Sequence, residues 1–182
     1  MSNTDLGSYY FHQGTNYRAY EYLGCTLNIK DGKYEYTFRT WAPNAKSVGL
    51  VSEFSGWNKA VPFSRISDNG IWELKYLSDI SLELQPYKFR ISSRKGTQDK
   101  GDPYARFSVG KDDGASFIYS SEYKWGDKLW LNKRRKTIEN KMLRPLNIYE
   151  VHLGSWNRFA DGNTYDYVTA AKEISKYVKK MG

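Results

Sequence analysis

The amino-acid sequence predicts a mostly β chain: an immunoglobulin-like β-sandwich over residues 25–124, then an incomplete β–α unit at 147–182. Two observations carry the sandwich. From about residue 25 to 125, apolar and polar residues alternate in six or seven short runs divided by turn residues, which is how strands with one buried face read. The chain is also rich in side chains that suit pleated, half-buried surfaces, with 16 Tyr, 8 Phe and 6 Trp among its 182 residues. A third observation carries the β–α unit. Near the end the apolar period changes from two to the three-and-four spacing of an amphipathic helix.

Residues 1–24 make an N-terminal arm, with Phe11, Tyr17, Tyr20, Tyr22 and Leu23 scattered among polar residues, which fits a short helical or looped segment. Leu27 and Ile29 then lead into Asp31-Gly32, and Tyr34, Tyr36 and Phe38 alternate beyond it. Asp-Gly adopts positive φ at little cost, so this is a hairpin. Pro43-Asn44 breaks the chain before Val48-Gly-Leu-Val51 resumes it, and Asp68-Asn69-Gly70 turns it again ahead of Trp72, Leu74 and Tyr76. Tyr87, Phe89 and Ile91 alternate with Lys88, Arg90 and Ser92, and residues 117–119 are the last short strand. Trp41 and Trp72 fall within strands and are expected in the core. Asp102-Pro103 and Asp112-Asp113-Gly114 read as turns; the second lacks the further oxygen ligands of a calcium loop.

Residues 125–146 form a charged linker that carries Trp125, Leu129, Trp130 and Leu131 and closes at Pro145. Asn147-Ile-Tyr-Glu-Val-His-Leu-Gly154 reads as a strand, with Ile148, Glu150 and His152 on one face and Tyr149, Val151 and Leu153 on the other. After a loop at Asp161-Gly162-Asn163, the residues Tyr167, Ala170, Ala171, Ile174, Tyr177, Val178 and Met181 mark one helix face. Thr164 is the expected N-cap, Asp166 suits the positive end, Lys179 and Lys180 the negative end, and Gly182 the C′ position. A strand followed by a helix is two-thirds of a βαβ unit, whose parallel partner strand would come next in a longer chain.

Composition bounds the function classes. Lys plus Arg is 28 against 20 for Asp plus Glu, a net +8 that permits contact with phosphates. The charge is spread, and its densest cluster, Lys133-Arg134-Arg135-Lys136 with Lys128 and Lys141 nearby, has no recognised nucleic-acid motif beside it. It reads as a solvated linker face. Cys25 is the one cysteine, which excludes an internal disulfide and favours a reducing compartment; following Gly24 at a strand start, it reads as a small buried residue. With two His and one Cys, no structural zinc site is expected, and no residue pattern calls for a cofactor. The chain has neither a signal-like start nor a run of eighteen apolar residues, so a cytoplasmic protein with no membrane partner is expected.

Several motifs carry a family resemblance. Phe38-Arg-Thr-Trp-Ala-Pro-Asn-Ala45, Val48-Gly-Leu-Val51 and Phe54-Ser-Gly-Trp57-Asn58 resemble the glucan-binding-type module of carbohydrate-binding family 48 found in α-amylase-superfamily enzymes. Gly70-Ile-Trp-Glu73, Tyr87-Lys-Phe89 and Lys100-Gly-Asp-Pro-Tyr-Ala105 continue the pattern in the family's order. Phe11-His-Gln-Gly14 through Tyr20-Glu-Tyr-Leu-Gly24 is similar to the lead-in of bacterial branching enzymes. Ile148-Tyr-Glu-Val-His-Leu-Gly-Ser-Trp156 resembles their first barrel strand, and Tyr177-Val-Lys-Lys-Met-Gly182 the end of the first barrel helix. The resemblance covers essentially the whole chain in register.

What it implies is the N-terminal, non-catalytic part of a glycogen (1,4-α-glucan) branching enzyme, with 147–182 as the first strand and helix of a (β/α)8 barrel. Such enzymes cleave an α-1,4 linkage and rejoin the freed chain through an α-1,6 bond by two-carboxylate retaining chemistry. In the family those carboxylates come from later barrel strands, so no residue here is assigned a catalytic role. Trp57 and Lys88 match positions that bind α-glucan in some relatives. An indole face stacks on the CH face of a glucose ring, and an ammonium donates to hydroxyls. Trp57 also fits as a cover on the edge of the core. Relatives with a fuller platform carry another aromatic shortly after Tyr-Lys-Phe, whereas this chain has Ser92-Ser-Arg-Lys-Gly96 there. Trp125 and Trp130 are expected to pack the module on the barrel, and His152, without a Ser or Cys partner at a recognised spacing, to be a hydrogen-bonded core histidine.

Three function classes remain in view at this stage. The branching-enzyme region, binding α-glucan (glycogen, maltooligosaccharides) or supporting the barrel, has a debranching enzyme's module as its near neighbour. A glycogen-sensing regulatory module would have no need of the 147–182 tail. A basic nucleic-acid binder would lose affinity steeply with salt, whereas neutral glucan would not.

Overall fold

The computed structural model describes residues 6–109, 114–121, 123–136 and 147–181. The chain divides into two compact units, residues 1–123 and 124–182. Asp112 and Asp113 of the expected turn, residues 137–146 of the expected linker, and Gly182 lie outside the described residues.

The first unit opens with two short helices, α1 (Leu6–His12) and α2 (Ala19–Tyr22). Ten strands follow among the described residues: β1 (Gly24–Lys30), β2 (Lys33–Trp41), β3 (Ser47–Ser52), β4 (Val61–Pro62), β5 (Ser64–Arg65), β6 (Ile71–Ser78), β7 (Pro86–Ser93), β8 (Gly96–Lys100), β9 (Phe107–Ser108) and β10 (Ser116–Phe117). They form two antiparallel sheets. One runs β1-β2-β6-β5; the other runs β4-β3-β7-β10-β9, with β8 also pairing on β7. The β1–β2 hairpin turns at Asp31 and Gly32, both with positive φ (53° and 74°), the geometry in which a two-residue connection matches the twist of its strands.

Period-two alternation places the core. Tyr36, Phe38 and Thr40 of β2 face inward, as do Leu50 of β3 and Tyr87 and Phe89 of β7. Phe38 meets Tyr87 edge to face at 5.2 Å between the two sheets, and Phe63 meets Phe89 the same way at 5.5 Å. Such aromatic pairs contribute beyond the area they bury. The two fully buried tyrosines also satisfy their hydroxyls. Tyr36 Oη accepts from the Leu82 amide at 2.8 Å, and Tyr87 Oη donates to Asp102 Oδ2 at 2.7 Å. Cys25 pairs with Phe38 on the neighbouring strand and packs half-buried against the core, where burial pushes its thiol well above the usual range. It is a packing residue rather than a nucleophile.

Trp41 departs from expectation. Trp72 is buried, with its indole N–H on the Ala42 carbonyl at 3.0 Å, but Trp41 is 51% exposed. Three residues beyond Phe38, it lies out of phase with the inward set and points to the opposite face of its sheet. The arm reaches that face. Phe11 meets the Trp41 ring at 5.7 Å, and the Tyr22 ring stacks on Arg39, whose guanidinium also binds Glu73 at 2.6 Å. The indole N–H of Trp41 is held by the Asn69 carbonyl at 2.9 Å.

In the second unit, the expected strand at 147–154 does not form. Residues 147–152 have no regular secondary structure, and Leu153–Trp156 are a single helical turn, α4. A strand exists only through ladder partners for its N–H and C=O groups, and no described segment of this unit pairs with it. Local packing replaces the ladder: Trp156 donates to Tyr149 Oη at 3.0 Å, and both rings contact Tyr177. Helix α5 (Tyr167–Met181) follows. Its N-cap is Asp166, whose Oδ1 accepts from the Thr169 amide at 2.7 Å; Thr164 instead bridges to Arg158. Ala170 is buried, while Tyr167, Val168 and Met181 of the same helix are exposed. The basic cluster at 133–136 ends a helix, α3 (Lys128–Lys136), and lies exposed to solvent. His152 is exposed, not a core residue; its Nδ1 contacts Ser155 Oγ at 2.9 Å, a bond within one helical turn. Among the described residues no helix is long and apolar enough to cross a membrane.

Candidate functional site

The site grows from the outer face of β7. With Tyr87 and Phe89 turned into the core, Lys88 and Arg90 point the other way. Register places Lys88 opposite Val51 and Arg90 opposite Gly49 on β3, and Arg90 opposite Asp99 on β8. Gly49 is required there: a Cβ would lie 2.8 Å from that of Ala60, where the β3–β4 connection returns along the sheet.

That connection, residues 53–60, presents Trp57. Its base is a tight turn in which Ser52 Oγ accepts from the Ser55 amide at 3.1 Å. Phe54 points inward, packing on Tyr76 at 5.1 Å. The chain therefore has an apolar anchor three residues before Trp57. Trp57 is half-buried, and its indole N–H donates to Glu53 Oε2 at 2.8 Å. Its carbonyl accepts from Arg90 Nη2 at 3.0 Å, and the Asn58 carbonyl accepts from Arg90 Nη1 at 3.3 Å. Arg90 also grips Asp99 with two parallel bonds of 2.8 Å, Nε to Oδ1 and Nη2 to Oδ2. That guanidinium holds the Asp99 carboxyl below the usual carboxylate range, and the Lys88 ammonium adds to the effect.

The two sequence-predicted residues thus share a neighbourhood. Lys88 is two positions from Arg90 on one sheet face, and Arg90 ties the Trp57 backbone to that face. The result is an open surface bearing one indole, one ammonium and an ion pair, the equipment for stacking on a sugar ring and bonding its hydroxyls. Sequence reasoning missed Glu53, Arg90 and Asp99. Strand alternation did place Arg90 beside Lys88; the pairing with Asp99 exists only once β8 folds back on β7. The turn Ser93–Gly96 that joins those strands occupies the stretch where a further aromatic is absent.

Spacing did not reveal the burial of Asp102 either. Asp102 does begin a turn, its Oδ1 accepting from the Tyr104 amide at 2.8 Å, but the residue is buried, its Oδ2 accepting from the Tyr87 hydroxyl and its own amide donating to Ser116 Oγ at 2.8 Å. Burial raises its pKa, opposed by the bonds from Tyr87 and Tyr104. It is buried structure rather than part of the open face.

Residues 22–105 match the family model of carbohydrate-binding module 48 (isoamylase N-terminal domain). The chain is 42% identical over 98% of its length to the 1,4-alpha-glucan branching enzyme of Halothermothrix orenii, and 36% identical over 96% to that of Bacillus subtilis. It spans about 28% of the length of either relative. Among solved structures, a pullulanase from Bacillus acidopullulyticus aligns at a TM-score of 0.44 and 29% identity, over 54% of this chain and 12% of that one. Residues 22–105 thus match the carbohydrate-binding module 48 family, on a chain similar over nearly its whole length to bacterial 1,4-alpha-glucan branching enzymes.

Proposed function

We propose that this chain is the non-catalytic N-terminal region of a 1,4-alpha-glucan branching enzyme, and that its sandwich meets α-glucan through Trp57 and Lys88. The observation that carries the binding reading is the Trp57 ring: at the tip of a connection anchored by Phe54, its N–H is engaged by Glu53, which leaves stacking through the ring face as its mode of contact. Lys88, on the adjoining strand face, supplies a donor for sugar hydroxyls. In this reading the branching reaction, α-1,4 cleavage followed by α-1,6 transfer, uses carboxylates from outside residues 1–182, and the chain alone has no transferase activity. The exposed apolar residues of α5, with Trp125 and Trp130, then pack against the rest of the barrel. The protein works where glycogen is made, in the cytoplasm.

The test is a titration of the 182-residue chain with maltoheptaose, followed by the indole and Lys88 resonances at low and high salt. Salt-insensitive shifts confined around Trp57 and Lys88 are expected. Shifts centred instead on Trp41, which lines a cleft of about 390 Å³ with Phe89 and Ile91, would relocate the site. No shift at millimolar sugar would leave the sandwich as a support for the barrel.

A further inference from the structure

The Arg90 side chain ties its own strand to two other segments of the chain. It sits on β7, grips Asp99 of β8 through Nε and Nη2, and reaches the carbonyls of Trp57 and Asn58 in the β3–β4 connection, 33 and 32 residues away. The arrangement uses the whole planar fork of a guanidinium; a lysine at that position has one nitrogen and no means of serving a carboxylate and two carbonyls together. The Arg90 and Asp99 side chains are 30% and 34% exposed, and an ion pair so placed adds little to global stability. Its distinctive effect is geometric: it fixes two consecutive peptides, the one linking Trp57 to Asn58 and the one that follows Asn58. Glu53 constrains the remaining freedom, since its bond to the indole N–H restricts rotation of the ring about its own side-chain torsions.

We infer that Arg90, clamped by Asp99, is a positioning residue for Trp57, and that Glu53 sets the orientation of the Trp57 ring. The inference rests on the reading of Trp57 as a glucan contact, and it identifies which residues make the contact pre-organised. A ring already held in its binding pose loses less conformational freedom when sugar stacks on it, and that saving appears as affinity. Asp99 acts at one remove. By engaging Nε and Nη2 it orients the guanidinium so that the remaining N–H vectors reach the two carbonyls.

The experiment uses the 182-residue chain and two independent readouts: fast-timescale order of the Trp57 indole N–H by relaxation without sugar, and maltoheptaose affinity. Arg90→Lys is expected to lower the order of the Trp57 indole and to weaken maltoheptaose binding by about threefold to tenfold. Asp99→Asn, which leaves the guanidinium in place, is expected to move both readouts in the same direction by less, and it serves if Arg90→Lys fails to fold. Glu53→Ala is expected to mobilise the indole, and Glu53→Gln, whose amide oxygen still accepts the N–H, to restore it; a merely structural role would not distinguish those two. If the wild-type chain shows no affinity for maltoheptaose while Arg90→Lys still mobilises the indole, the glucan reading falls and the positioning role stands. Unchanged indole order in folded Arg90→Lys or Asp99→Asn overturns the inference, whatever the affinity.

Discussion

The hydroxyl of Tyr87 donates a 2.7 Å hydrogen bond to the carboxylate of Asp102, and neither residue reaches solvent appreciably. One end of the Tyr87 side chain is therefore polar chemistry inside an aromatic core, while its ring packs on Phe38 and Phe89. Tyr87→Phe keeps the ring and removes the donor, leaving a buried carboxylate short of one partner. The expected cost is about 1–3 kcal/mol, read as a lower urea midpoint with an unchanged slope.

The same pair makes stability depend on pH. Burial raises the Asp102 pKa in the folded protein above its ordinary value of 3.8. A raised folded pKa means that the group's contribution is fully present below the unfolded value and is lost as pH rises through the folded one. Asp102→Asn, which keeps the acceptor for the Tyr104 amide, removes that titration. The stability of the wild type relative to Asp102→Asn should fall as pH rises from below 3.8. The comparison cancels carboxylates of opposite sign, such as Asp99. A flat difference across the acid range would show that Asp102 titrates normally.

Phe38 joins the two sheets through its contact with Tyr87, and it is fully buried. Phe38→Ala should cost about 3–5 kcal/mol, from lost transfer energy and the cavity left in a rigid aromatic neighbourhood. Thermal unfolding followed by near-ultraviolet circular dichroism would show a correspondingly lower Tm. A shift of a degree or less would mean that neighbouring side chains collapse into the space.

Asp166, not Thr164, caps α5, and its second oxygen also accepts from the Thr169 hydroxyl at 3.0 Å. Asp166→Ala should destabilise the helix start by about 1 kcal/mol, whereas Thr164→Ala should leave it nearly unchanged. Amide hydrogen exchange at Val168 and Thr169 separates the two: faster exchange is expected in the first variant alone.

The differences between expectation and structure have particular causes. The sequence contained what was needed to place Trp41, because a residue three beyond Phe38 must face away from it; strand membership alone was a poorer guide than phase. Thr164 has the right residue type for a cap but lies two residues too early, and Asp166 offers the same chemistry in reach of the Thr169 amide. The failed strand at 147–152 is different in kind. Its alternation is real, and Tyr149 does turn toward α5, but alternation describes a face, and a strand also needs neighbours for its backbone.

By itself the sequence determined the sandwich, the Asp31-Gly32 hairpin, the inward set on β2 and β7, the outward pair Lys88 and Arg90, and the helix at the end. All of these follow from spacings of two, three or four residues and from turn chemistry, which act locally. Only the tertiary structure decided that Asp99 meets Arg90, that Arg90 reaches the carbonyls of Trp57 and Asn58, and that the Asp102 turn is buried under Tyr87. Those contacts join segments 9 to 33 residues apart, and their partners are set by which strands pair and in what register, a choice made by the burial of the whole core rather than by any short stretch of chain.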